Sequence, residues 1–116
     1  MGIGSTALTD GMIFEASKEF MMSTVLSDAQ IQQALQQLPG WKTNGNTIER
    51  VFQFANFVQA MEFVNHMAEA AEAVNHHPDI LINYNKVTLT LVSHDSGGVT
   101  QRDIKMAARI NELAPV

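Results

Sequence analysis

The chain has 116 residues, 46% of them hydrophobic, and a formal net charge of −5, which fits one globular domain with a single core. An acidic balance argues against direct nucleic-acid binding, which calls for a basic face, and the lack of cysteine removes disulfides, thiolate nucleophiles and cysteine zinc sites. No apolar run approaches the roughly 18 residues of a membrane span and no charged-then-apolar signal opens the chain, so the expected location is cytoplasmic, with no membrane partner.

Residues 1–21 are rich in Gly, Ser and Thr at the start and carry no sustained periodicity. They read as a mobile leader, native or left from cloning, with room for a short helix around Phe14–Phe20. Met21-Met22-Ser23-Thr24 looks like a second beginning, and the domain is expected to span 22–116. Ser27-Asp28-Ala29-Gln30 has the spacing of a capping box. Ile31, Leu35 and Leu38 follow at helical spacing until Pro39-Gly40. Two strand-like runs, Trp41-Lys42-Thr43 and Thr47–Phe54, flank Asn44-Gly45-Asn46, a hairpin signal because Asn and Gly tolerate positive φ.

Asn56 is placed to cap a second helix running to about Asn75. Phe57, Met61, Val64, Ala68 and Ala71 give it an apolar stripe, and Glu62, His66 and Glu69 share its polar side. Ile80–Tyr84 and Val87–Ser93 alternate with period two and form a second hairpin. Thr100-Gln101-Arg102-Asp103 opens a third helix with capping spacing, and Ile104, Ala107, Ile110 and Leu113 form its apolar face. The order is α-β-β-α-β-β-α. This predicts an α+β domain, a four-stranded antiparallel sheet with three helices on one face.

The stretch Glu72-Ala73-Val74-Asn75-His76-His77-Pro78 carries the chemistry. Imidazole is the side chain whose unperturbed pKa, about 6.5, lies where small shifts change its charge near neutrality. Glu72 stands four residues before His76, so on a continuous helix its carboxylate orients that ring; a surface ion pair or a histidine at the helix C-terminus is the plainer reading. If the second hairpin turns through Asn85-Lys86, opposed residues sum to 171 and His77 faces His94 on the open side of the sheet. Two satisfied polar groups at a strand end is the plainer reading there. Asp103 fits the capping box with Thr100, and Arg102 sits against the helix dipole. Trp41, the single tryptophan, reads as a core or rim anchor. A three-histidine metal site at His76, His77 and His94 competes, but adjacent residues point apart and neither HxH nor HxxxH spacing occurs.

These residues together resemble the signature of the pterin-4a-carbinolamine dehydratases: Glu72-x-x-x-His76-His77-Pro78, Tyr84-Asn85-Lys86-Val87, Ser93-His94, Gly98-Val99-Thr100 and Arg102-Asp103. The likeness covers about residues 26–113, with Ser93 where a threonine is common. It implies an enzyme that dehydrates 4a-hydroxytetrahydropterins to quinonoid dihydropterins, recycling the pterin used by aromatic amino acid hydroxylases. It implies no cofactor and no metal, and a homodimer or homotetramer. It implies His76, His77 and His94 as the catalytic histidines. Glu72, Trp41, Pro78, Arg102 and Asp103 are implied as supporting or substrate-binding residues. Animal members also serve as dimerisation cofactors of a homeodomain transcription factor, and nothing in this chain speaks for that role. A non-enzymatic assembly or dimerisation partner on the same fold is the competing function; intact histidines favour the enzyme.

Overall fold

Each of the three helices that follow residue 27 begins where a side chain accepts a hydrogen bond from one of its otherwise unpaired amides. The computed structural model of the protein describes residues 22–115. The expected leader, with its short helix around Phe14–Phe20, lies outside the described residues. Helix α1 (Asp28–Leu35) starts with the capping box of Ser27 and Gln30. Helix α2 (Phe57–Val74) starts at Asn56, whose Oδ1 accepts the Gln59 amide at 2.8 Å. Helix α3 (Gln101–Leu113) starts with the box of Thr100 and Asp103. A cap of this kind contributes about 1 kcal/mol.

Four antiparallel strands, β1 (Lys42–Asn44), β2 (Thr47–Gln53), β3 (Asp79–Asn83) and β4 (Lys86–Leu91), form one sheet in the order β1-β2-β4-β3. Ile48 and Phe52 of β2 join Val87, Leu89 and Leu91 of β4 on the buried face. Against them pack Ile31, Phe63, Met67, Met106 and Ile110 from the helices. The other face carries exposed Val51 and Leu81. The element order and the antiparallel sheet are those expected from the sequence.

Three local expectations change. The first hairpin turns through Gly45-Asn46, because Asn44 already pairs with Thr47; of the two, only Gly45 has positive φ, at +61°, the requirement of a II′ turn. In the second hairpin Asn83 pairs with Lys86 and Ile80 with Leu89. The turn is therefore Tyr84-Asn85, opposed residues sum to 169, and the His77–His94 ladder pair does not form. Tyr84 itself takes φ +55°. On α2, the buried residues are Ala60, Phe63, Val64, Met67 and Ala71. The apolar stripe is thus rotated from the expected one, and Phe57 and Ala68 are exposed. Phe63 wins the core position because its ring packs 4.8 Å from Phe52 and 5.1 Å from Phe54.

Candidate active site

Helix α2 ends by turning left-handed. Asn75 has φ 52° and ψ 45°, a conformation that asparagine tolerates better than most residues. The His76 amide then bonds Ala71 O at 3.1 Å and the Asn75 amide bonds Glu72 O at 3.2 Å, the paired bonds of a Schellman end. This reversal sends the two adjacent imidazoles to different partners. His76 no longer follows the helical screw, so Glu72 is not its neighbour. Glu72 instead meets His77, Oε2 to Nε2 at 2.7 Å. Both of those side chains are more than half exposed, so the pair adds little to stability. Pro78 is buried and fixes the step into β3.

His76 reaches across to α3, where its Nε2 lies 2.5 Å from Oδ1 of Asp103. Its side chain is 12% exposed and that of Asp103 is 0%. Asp103 Oδ2 accepts both the Ser93 hydroxyl and the Thr100 amide, each at 2.8 Å. The proton positions follow by elimination. A carboxylate only accepts, so the single Ser93 proton goes to Asp103. Thr100 Oγ1 must then donate to Ser93 Oγ, 2.8 Å away, while accepting the Arg102 amide at 3.2 Å. By the same logic Nε2 of His76 is the donor toward Oδ1 of the Asp103 carboxylate. His76 also borders a groove of about 590 Å3 between α2 and α3, walled by Ala70, Ala73 and Met106 and edged by Arg102, Lys105 and Arg109.

His94 is exposed on the turn 93–98 and makes no hydrogen bond or ion pair with any other described residue. The turn is closed by the Ser93–Gly98 bridge and clamped to the start of α3 by Arg102. That guanidinium donates to both Asp95 oxygens, at 2.6 and 3.2 Å, and to Ser96 Oγ at 3.2 Å. The hydrogen bond from Arg102 holds the Asp95 carboxyl below its usual value, and the same bond raises Arg102. Asp95 thus answers the cost of placing Arg102 in the first turn of a helix.

Trp41 is a core residue at the other end of α3. Its Nε1 donates to Asn111 Oδ1 at 2.8 Å, and its ring meets Phe52 edge-on at 6.4 Å. Asn111 and Asp103 are about 12 Å apart along the helix at 1.5 Å per residue. His66 is exposed beside exposed Glu62 and Glu69. Among the described residues no group of three or more His, Cys, Asp or Glu is placed to hold a metal ion.

Sequence reading named Ser93 in the family signature without giving it a role, and passed over Asp95. A signal for Ser93 was present. It continues the alternation Val87, Leu89, Leu91 and is 1% exposed, and a hydroxyl at a core position must find partners.

The family model for pterin 4 alpha carbinolamine dehydratase matches residues 24–113. The chain belongs to this family. The dehydratase match takes in all seven elements, the Glu72–Pro78 stretch, His94 and the Arg102-Asp103 pair. A Koribacter versatilis protein carrying the family's name is 60% identical over 94 residues, 81% of this chain and 100% of the relative. One from Picosynechococcus is 50% identical over 92 residues, 79% of this chain and 100% of its own length. The crystal structure of a transcriptional coactivator/pterin dehydratase from Brucella melitensis superposes with a TM-score of 0.76 at 38% identity, covering 78% of this chain and 99% of that one.

Proposed function

We propose that this member of the dehydratase family removes water from 4a-hydroxytetrahydropterins, giving quinonoid dihydropterins, by imidazole acid–base catalysis. The hydroxyl leaves C4a as water after taking a proton, and N5 gives up a proton, so the reaction needs one acid and one base and transfers no electrons. Imidazoles titrate in the range where one group serves either role, a contribution of about 10²–10⁴-fold. His76, His77 and His94 are the candidates. The family match supports the substrate class. The observation that supports the mechanism is the buried Asp103 carboxylate bonded to Nε2 of His76.

Glu72 supports His77 in the same manner at the surface. The groove beside His76 has a volume within the range of small-molecule sites. In this reading the product is the pterin that aromatic amino acid hydroxylases use again after reduction. The test is direct: the purified protein is added to a freshly generated 4a-carbinolamine and its ultraviolet decay is followed. Faster decay, proportional to protein concentration, supports the reading; decay at the spontaneous rate at all concentrations ends it.

A further inference from the structure

The Ser93 hydroxyl takes no part in the acid–base steps above, yet it touches the support of one imidazole and precedes another in the chain. Were its role to fill space, an apolar residue would do it at lower cost, since a buried hydroxyl is unfavourable unless fully paired. Ser93 is fully paired: it accepts from Thr100 and donates to Asp103. With the Ser93 hydroxyl and the Thr100 amide both on Oδ2 of Asp103, Oδ1 is the oxygen left to meet His76. The backbone of the same residue closes the turn that bears His94. The Ser93 amide bonds Gly98 O at 3.0 Å, and Ser93 O accepts the Ser96 and Gly97 amides at 3.0 and 2.9 Å.

We propose that Ser93 is a positioning residue for the dehydration: its hydroxyl orients Asp103 on His76 while its backbone sets the His94 turn. This deepens the acid–base reading and rests on it. Ser93 touches no reacting atom and acts through Asp103.

The experiment compares Ser93→Ala, Ser93→Cys and Ser93→Thr with the wild-type protein, by carbinolamine turnover and by nitrogen-15 NMR of the His76 ring. Losing one hydrogen bond to a charged group, Ser93→Ala should lower kcat by about 10-fold with KM little changed. It should also release the His76 ring from its Nε2-protonated form. Ser93→Thr restores the hydroxyl and should return both readouts to near wild type. Ser93→Cys keeps the volume with a weak donor, so if the alanine variant does not fold, the cysteine variant carries the same expectation.

The proposal is overturned if the folded alanine or cysteine variant keeps the wild-type kcat and ring signals. It is also overturned if a folded threonine variant fails to restore them, or if the variants lose melting temperature alone. The wild-type protein separates the two claims. Without turnover in the wild type the acid–base reading fails, while the ring signals still decide whether Ser93 governs His76.

Discussion

With Oδ2 of Asp103 occupied by the Ser93 hydroxyl and the Thr100 amide, Oδ1 of the carboxylate is left to accept from the ring N–H of His76. Asp103→Asn tests this. If the asparagine carbonyl keeps the two donors on the Oδ2 side, its amide NH2 faces the Nε2 proton, and the ring must change tautomer. Turnover is expected to fall by roughly 10²–10⁴-fold in a variant that circular dichroism shows to be folded. A folded Asp103→Asn protein with wild-type turnover would show that the tautomer does not matter. Asp103→Ala should instead destabilise, because buried donors then lose their acceptor at about 1–3 kcal/mol each. His77→Ala and His94→Ala are each expected to lower turnover by roughly 10²–10⁴-fold. Their double variant should cost less than the product of the two, as groups acting as a unit do. His66→Ala should change little. Glu72→Ala should be intermediate, through His77. If folded His77→Ala and His94→Ala both keep wild-type rates, the acid–base assignment is wrong.

At the scale of elements, the left-handed end of α2 decides which histidine meets which carboxylate. Asn75→Gly should be tolerated, whereas Asn75→Val should cost about 1–2 kcal/mol for the left-handed conformation and lower turnover with it. Unchanged melting and turnover in the valine variant would mean that the helix end does not place His76. The capping boxes of α1 and α3 were legible because each lies within four consecutive residues. The end of α2 was not, because the i, i+4 rule that pairs Glu72 with His76 holds only while the helix continues. The β3–β4 register was missed for a similar reason. Tyr84 takes the positive φ of the turn, and an aromatic residue is not a usual turn former. The His76–Asp103 bond joins residues 27 apart in sequence, beyond the reach of any local spacing.

The clamp between the His94 turn and α3 has a definite pH sense. Asp95 has its pKa lowered from 3.8 by Arg102, so the pair's contribution is fully present above about 3.8 and is lost as pH falls through the lower folded value. Stability measured from pH 5 to 8 should therefore not differ in slope between wild type and Asp95→Asn. Divergence should be confined to acid below about pH 4. A difference in slope near neutrality would mean that another group titrates with this turn.

For the whole molecule, the sheet leaves two edges, and they are unlike. β1 is three residues long and β3 five. β3 carries exposed Ile80 and Leu81, and Tyr84, 65% exposed, stands in the turn at its end. An edge with unpaired backbone groups and apolar side chains is a template for another strand, and two copies meeting about a twofold axis satisfy both edges at once. The protein is therefore expected to self-associate through β3. Sedimentation at micromolar concentration should give a species heavier than the 12.8 kDa chain. Charge on an edge opposes strand addition, so Ile80→Lys combined with Leu81→Lys should shift the population toward monomer. The core residues of β4 are untouched by these changes, and circular dichroism should keep its native form. A wild-type protein sedimenting only near 12.8 kDa would leave β3 without a partner strand. A folded double-lysine variant that stays as heavy as wild type would move the interface away from this edge.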